Sequence, residues 1–306
     1  MAGGEKAKSS GEFGEKIATK LLDVIGWNSA QKNLSINCLE GEDHQKTKHG
    51  IDCYFSYESP LKDNTFEEVV ISVKHNEGGY PQYPKTKFKE YLKDIAHTIE
   101  CFNYDCDYRN VNTENITGVI FWFSNDESEK SEGITEKLWN FRHDQDINYG
   151  PIYLVDNKKA TFLVNAIAYA KSRYSNESVS FVYPSTGYND SDLYTKIHSG
   201  KILPVQYINS SVLPMRIDGD KGNTLLLFSN EEFSESGLKR LMGLATYLTA
   251  TWANKTIILF PDYNELKHNN IVAKVSRPFR NQEYFSNFTV KSFLRDLQSL
   301  GEENNE

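Results

Sequence analysis

Apolar residues near the start of the chain recur with the period of an α-helix, and later ones follow the patterns of β-strands. One apolar stripe repeats every four residues and contains Phe13, Ile17, Leu21 and Ile25. Gly26 follows the stripe as a typical stop residue, so we predict a helix from about Ser9 to Ile25. Alternating or β-branched runs then predict three short strands. They are Asn33–Cys38, Ile51–Tyr57 and Glu68–His75.

Strands and helices continue to alternate through the middle of the chain. An amphipathic helix is predicted from about Thr86 to Phe102, after a loop that contains glycine and proline. The strands predicted after it are Thr117–Ser124, Pro151–Val155 and Val179–Tyr183. The helices between them are Ile134–Phe141 and Thr161–Ser172. This alternation predicts an α/β fold with a mixed or parallel sheet covered by helices.

The polar stretch Pro184–Asp192 is the best candidate linker, and a second α/β region follows it. The strands predicted there are Ile202–Ile208, Val212–Ile217, Asn223–Phe228 and Lys255–Phe260. The predicted helices are Ser236–Thr249, which would join the last two strands in parallel, and Val290–Leu300. We therefore expect a flexible N-terminus at 1–10, one domain at 11–185, a second domain at 186–300 and a flexible tail at 301–306.

Composition and charge narrow the function classes without choosing one. Hydrophobic residues make up 39% of the chain and charged residues 25%, as in ordinary globular proteins. The polar N-terminus is unlike a signal peptide and the sequence contains no membrane-spanning run, so we expect a cytoplasmic protein without a membrane partner. The net charge of −8 argues against nucleic-acid binding by bulk charge. A local basic groove, a metal ion or a basic partner subunit would still permit it.

The cysteines indicate no metal site by their spacing. The chain has four of them, and none forms a CxxC pair: Cys38, Cys53, Cys101 and Cys106. We interpret them as ordinary reduced thiols of a cytoplasmic protein. His44 and His49 lie in a polar loop where contact with a metal or a phosphate is conceivable, but we expect no direct ligation by them.

The candidate chemistry lies in three places of the first domain. Glu15 is on the first helix, Asp52 stands at the start of one strand of the hairpin, and the run 72–74 (Ser-Val-Lys) is on the other strand. Alternation along that strand puts Ser72 and Lys74 on one face. A carboxylate and an ammonium group would then meet at one edge of a small sheet. Metal-assisted phosphodiester hydrolysis needs such a pair, although each residue taken singly is also common at solvated strand ends.

These segments resemble the PD-(D/E)xK nuclease superfamily, which includes restriction enzymes. The resemblance covers about residues 10–125 and rests on GEFGEKIATKLLDVIGW, HGID and VVISVKH. It implies a restriction-endonuclease-like mixed sheet flanked by helices and the use of Mg²⁺ or Mn²⁺. It further implies that Asp52 binds the metal, that Glu15 supports the metal site, that the carbonyl of Val73 is a further ligand and that Lys74 is the catalytic lysine. Glu12 competes with Glu15, but Glu15 borders the apolar arc of the helix and is preferred.

The chain departs from the superfamily pattern at Ser72, where an acidic residue or Gln is usual. Serine is a weak ligand and leaves the site one carboxylate short. Another carboxylate or amide must fill in, or the metal binds loosely, or the site no longer cleaves. The candidates to fill in are Glu68, Gln82 and Glu90.

Basic residues after the motif suggest a surface for nucleic acid. Lys85, Lys89 and Lys93 recur every four residues on the predicted helix, and His75 follows the motif lysine. They would contact phosphates, although a solvated helix face paired with acidic neighbours is an equally ordinary interpretation.

These observations predict a metal-dependent deoxyribonuclease in restriction, repair or phage defence, acting as a homodimer or with a second defence protein. Two alternatives stay open. One is a DNA-binding or scaffold subunit that does not cleave, which Ser72 favours. The other is a protein-interaction module.

Overall fold

The computed structural model describes residues 2–104, 116–126, 133–142, 150–190, 196–220, 222–249, 252–279 and 288–294. The chain divides into two compact units. The first contains Met1–Thr161, Thr186–Leu193 and Leu203–Asn209, and the second contains the remaining residues. Each unit has one mixed sheet with helices, so the predicted α/β class is confirmed. The domain boundary predicted at residues 185–186 stays a prediction.

The first unit has a sheet of five strands. The strands are β1 (Gln31–Asn37), β2 (Lys48–Glu58), β3 (Phe66–Asn76), β4 (Ile116–Ser124) and β5 (Ile152–Val155). The helices are α1 (Ala2–Val24), α2 (Gly41–His44), α3 (Pro84–Phe102), α4 (Ile134–Lys137) and the start of α5 (Asn157–Arg173). The strand order is β1-β2-β3-β4-β5, in which the first two pairings are antiparallel and the last two parallel.

The centre of this sheet is buried on both faces. All nine residues of β4 are buried, as expected for a strand with helices on either side. On one face Val73 and His75 of β3 lie against Gly14 of α1. On the other face Val70 and Tyr54 share a core with residues of α3. Odd-numbered residues of β3 therefore face α1, and even-numbered residues face α3.

The second unit has a sheet of six strands. The strands are β6 (Ser178–Val182), β7 (Ser199–Gly200), β8 (Val212–Gly219), β9 (Gly222–Ser229), β10 (Lys255–Phe260) and β11 (Phe288–Ser292). The helices are most of α5, α6 (Glu235–Thr249) and α7 (Glu265–Ser276). The strand order is β11-β10-β9-β8-β6-β7. The predicted parallel pairing of β9 with β10 through α6 is confirmed.

Several predicted elements differ from the structure. Helix α1 begins at Ala2 rather than near Ser9. The flexibility expected of residues 1–10 stays a prediction. The strand predicted at Ile202–Ile208 is wrong. Leu203 donates its amide hydrogen to the Ile25 carbonyl and Val205 to the Tyr57 hydroxyl, and a 3₁₀ turn forms instead.

The C-terminal predictions also need correction. The helix predicted from Val290 begins as strand β11, because its β-branched residues pair in parallel with β10. Residues 295–306, including the predicted tail at 301–306, lie outside the described residues. Helix α7 was not predicted, although the Asn264 side chain caps it by accepting the Lys267 amide hydrogen at 3.1 Å. In the described part of the chain, no helix is both long and apolar enough to cross a membrane.

Candidate active site

Asp52 lies where β2 and β3 stop pairing. Their antiparallel register runs from Glu58 opposite Phe66 to Cys53 opposite Ile71, and both strands continue beyond it. At that point the Asp52 Oδ2 atom accepts the amide hydrogen of Val73, with an O–N distance of 2.6 Å. A carboxylate thus takes the place of a main-chain acceptor, and it is held in the opening between the two strands.

The main chain on the other side of Asp52 is also irregular. Asn33 of β1 lies between the residues that pair with Cys53 and Ile51, so it stands beside Asp52. It has a φ of 54°, in the left-handed region that asparagine tolerates better than most residues. The position of Asp52 is therefore set by local irregularities of both neighbouring strands.

Val73 presents its main chain to the same opening. Its amide hydrogen points at Asp52. The amide and carbonyl of one residue leave a strand at the same edge, so the Val73 carbonyl is directed to this edge as well. Its side chain packs against α1 near Gly14. Two kinds of oxygen, carboxylate and carbonyl, are therefore directed to the end of the β2–β3 pairing.

The charges of Asp52 and of Glu15, a residue of α1, both act on the buried thiol of Cys53. Burial raises the pKa of Cys53 to about 11, and the negative charges of Asp52 and Glu15 contribute to the increase while Lys32 opposes it. Both carboxylates thus act on one thiol. Glu15 itself is exposed on α1.

Lys74 points to the face of β3 that α3 covers, whereas α1, which carries Glu15, packs on the other face. The structure therefore does not bring Lys74 and Glu15 together on one face of the sheet. The ammonium nitrogen of Lys74 lies 3.5 Å from the Asp94 Oδ2 atom and 5.4 Å from the centre of the Tyr91 ring. The side chain of Lys74 is only 23% exposed. Two residues of α3 therefore hold the side chain of Lys74, Asp94 through an ion pair and Tyr91 through a cation–π contact.

Asp94 is a functional candidate that the sequence reasoning missed. It pairs with Lys46 as well as with Lys74. Burial alone would raise the pKa of Asp94, but the hydrogen bond from Lys46 and the charges of Lys74 and Lys46 outweigh burial and lower that pKa below its usual value. Asp94 follows Lys74 by twenty residues on an amphipathic helix. Only the docking of α3 on the sheet brings the two together.

Ser72 is partly buried and lies on the same face as Lys74. Of the residues considered to replace its missing carboxylate, Glu68 is fully buried and accepts a hydrogen bond from the Tyr54 hydroxyl at 2.7 Å. Gln82 is exposed, and Glu90 forms an exposed ion pair with Lys87. Asp94 is therefore the carboxylate that contacts the motif lysine.

A family model described as the GAPS4 protein PD-(D/E)XK nuclease domain matches residues 1–159. The chain belongs to this family. The match confirms the superfamily resemblance that the motifs indicated. It covers all of β1 to β5, and so all the residues of the candidate site. No curated protein and no solved structure matches the chain.

The lysine face of this nuclease domain is exposed. Lys85, Lys89 and Lys93 are solvent-exposed on α3, the helix that carries Asp94. The Lys85 ammonium group donates a hydrogen bond to the Asn140 side chain. Because that side chain is neutral, the contact does not offset the positive charge of Lys85. Contact of this face with phosphates stays a prediction.

His75 has a packing role in the structure. Its Nδ1 atom lies 2.8 Å from the Ser10 hydroxyl and its Nε2 atom 3.1 Å from the Asn125 Oδ1 atom. Its ring also meets Phe13 edge-on, with 5.4 Å between centroids. Both ring nitrogens are therefore engaged in linking α1 to the end of β4, and a contact with nucleotides stays a prediction.

Proposed function

We propose that the chain is a metal-dependent nuclease that hydrolyses phosphodiester bonds in DNA. We place it in the cytoplasm of prokaryotes, in defence against phage or plasmid DNA. The observation that carries the proposal is the Asp52 carboxylate, held by the Val73 amide at the end of the β2–β3 pairing in a chain of a nuclease family.

The oxygen donors at this edge suit a hard divalent cation. Asp52 offers a carboxylate and Val73 offers a carbonyl directed to the same edge. Glu15 of α1 offers a second carboxylate, whose charge acts on Cys53 together with that of Asp52. Mg²⁺ is commonly held by one or two carboxylates and keeps several waters, and Mn²⁺ accepts similar ligands. When bound, such an ion polarises the scissile phosphate and makes a bound water more acidic.

The protein groups have separate tasks in this proposal. Asp52 and the Val73 carbonyl hold the cation, and Glu15 positions its waters. Lys74 offsets the negative charge that develops on the phosphate. Asp94 positions Lys74 through their ion pair. Ser72 supplies no carboxylate, so Asp52 and the Val73 carbonyl are the protein groups that would hold the cation.

Cleavage assays on the purified chain test the proposal. Linear, circular and single-stranded DNA are incubated with Mg²⁺ or Mn²⁺ and the wild type, Asp52→Asn or Lys74→Ala. Each substitution should lower the cleavage rate by about 100-fold or more. Asp23→Asn is the matched control, because Asp23 is an exposed carboxylate elsewhere on α1. A wild type no more active than Asp52→Asn on every substrate would overturn the proposal.

Ser72 favours a second candidate function, a DNA-binding or scaffold subunit that does not cleave. In either case we propose that the chain acts as a homodimer or with a second defence protein. The predicted domain at 186–300 would then recognise substrate or dock that partner. Protection of cells against phage decides between the two functions. It should be lost in Asp52→Asn if the chain cleaves, and kept if the chain only binds.

A further inference from the structure

Four side chains from four separate elements converge beside the connection between β1 and β2. Cys38 directly follows β1, His44 ends α2, His49 is near the start of β2, and Cys101 is in the last turn of α3. One potential ligand atom from each of the four lies within 4.8 Å of all the others. Three of these residues are buried and Cys38 is half-buried.

Four of the six distances between ligand atoms in this cluster are close to those around a tetrahedral metal ion. The Cys38 and Cys101 sulfurs are 3.9 Å apart. The His44 Nδ1 atom lies 3.3 Å from the Cys38 sulfur, 3.6 Å from the Cys101 sulfur and 3.3 Å from the His49 Nε2 atom. A tetrahedral zinc ion with ordinary bond lengths requires about 3.8 Å between two sulfurs, about 3.6 Å between sulfur and nitrogen, and about 3.3 Å between two nitrogens.

We infer that Cys38, His44, His49 and Cys101 form a Cys₂His₂ zinc site. Two thiolates and two neutral imidazoles are a ligand set typical of structural zinc. A disulfide does not explain the cluster, because the sulfurs lie far beyond bonding distance, which is about 2.05 Å.

Each histidine has a partner for the ring nitrogen that faces away from the cluster. The His44 Nε2 atom lies 3.2 Å from the Glu100 carboxylate, and the His49 Nδ1 atom lies 3.5 Å from the Thr98 hydroxyl. Metal-binding histidines usually donate their second N–H to such an oxygen, which fixes the tautomer and the orientation of the ring. The nitrogens that point inward, His44 Nδ1 and His49 Nε2, are then the unprotonated ones that zinc needs.

The sulfur of Cys101 also accepts a main-chain hydrogen bond. The Leu39 amide donates a hydrogen bond to it at 3.4 Å. Two thiolates offset the charge of one Zn²⁺, so the loaded site is neutral in a largely buried place. Loading Zn²⁺ on the reduced protein releases one proton from each thiol.

The site has a structural role because four protein ligands leave no open position for water or substrate. It fastens the β1–β2 connection to the end of α3. The Thr98 hydroxyl, which supports His49, donates to the main-chain carbonyl of Asp94, the partner of Lys74. The zinc site thus steadies the helix that positions the motif lysine, and takes no part in hydrolysis.

Metal analysis of the full-length chain tests this inference. Protein purified under reducing conditions, without added metal, should contain roughly one zinc per chain when its metal content is measured by inductively coupled plasma mass spectrometry. Cys38→Ser and Cys101→Ser should each lose most of it. Cys53→Ala is the matched control, since Cys53 is a thiol of the same sheet outside the cluster. Zinc that persists in both cluster variants would overturn the inference.

X-ray absorption at the zinc edge of the wild type avoids reliance on variants that fail to fold. It should show two sulfur neighbours at about 2.3 Å and two nitrogen neighbours at about 2.0 Å. A shell of oxygens, no zinc, or a Cys38–Cys101 disulfide in the native protein would contradict the site. None of these readouts measures cleavage, so failure of the zinc site and failure of the proposed nuclease function are distinguishable.

Discussion

The Asp52 carboxylate accepts the Val73 amide hydrogen at 2.6 Å, across the point where two strands of the sheet separate. This one bond joins the candidate metal ligand to the strand that carries the candidate lysine. Asp52 is therefore expected to contribute both to the stability of the fold and to cleavage. Two substitutions at Asp52 separate them.

Asp52→Asn keeps an acceptor oxygen for Val73 but removes the charge, whereas Asp52→Ala removes both. We expect Asp52→Ala to lower the free energy of unfolding by about 1–3 kcal/mol, since it leaves the Val73 amide without its acceptor. Asp52→Asn should cost less than about 1 kcal/mol and still abolish cleavage. Urea unfolding and the cleavage assay measure the two effects. Equal losses of stability would show that the hydrogen bond is not what Asp52 contributes to the fold.

Asp94 should affect cleavage through Lys74. Asp94→Asn removes the charge that holds the ammonium, and we expect roughly a 10-fold loss of cleavage from misplacement of Lys74. Lys46→Ala is the control, because it removes the other partner of Asp94 and leaves the Lys74 pair intact. In a Lys74→Ala background Asp94→Asn should have no further effect. An additive loss in the double variant would contradict this positioning role.

The same ion pairs make part of the stability depend on pH. The pKa of Asp94 is lower in the folded chain than its ordinary value of 3.8. Its stabilising contribution is therefore complete above that value and lost as the pH falls from there through the folded pKa. Because the carboxylate is partly exposed, we expect a contribution below about 1 kcal/mol. The difference in unfolding free energy between wild type and Asp94→Asn should shrink below pH 3.8; a constant difference would argue against the shift.

Much of the first unit follows from local sequence pattern. The hairpin strands and the two helices around the motifs are set by periodicity, and that was enough to find Asp52 and Lys74. Asp94 is different, because its place beside Lys74 depends on how α3 docks on the sheet. The face toward which Lys74 points, opposite to that of Val73, also follows from alternation, but which helix covers that face does not.

The spacing of cysteines and histidines in the sequence does not predict their cluster in the structure. Cys38, His44 and His49 lie close together in the sequence, from the end of β1 to the start of β2. Cys101 comes from the end of a helix more than fifty residues later. Strand β11 is similar, since its pairing with β10 is decided by tertiary contact rather than local propensity. In both places distant segments of the chain meet.

The lysine face of α3 should contribute to DNA affinity through phosphates. We expect Lys89→Glu with Lys93→Glu to weaken binding and to reduce the slope of log affinity against log salt by about 2, or about one per lysine. Lys171→Glu with Lys267→Glu is the charge-matched control, because both are exposed lysines of the second unit. Fluorescence anisotropy over a range of salt concentrations measures both slopes. Identical slopes for the two pairs would show that the α3 face is only solvated.

Two glycines of α1 give a paired test of how this helix packs on the sheet. A Cβ atom at Gly14 would lie 2.6 Å from the Cβ atom of His75, whereas a Cβ atom at Gly11 would have nothing within 4 Å. Gly14→Ala should therefore destabilise the fold by about 1–3 kcal/mol through overpacking against β3. Gly11→Ala should stabilise it by about 0.5–1 kcal/mol, because alanine favours the helix at an open position. Thermal and urea unfolding of both variants measures the difference. If Gly14→Ala were as stable as Gly11→Ala, α1 would not pack on β3 at His75, and the place of α1 on this face of the sheet would lose its support.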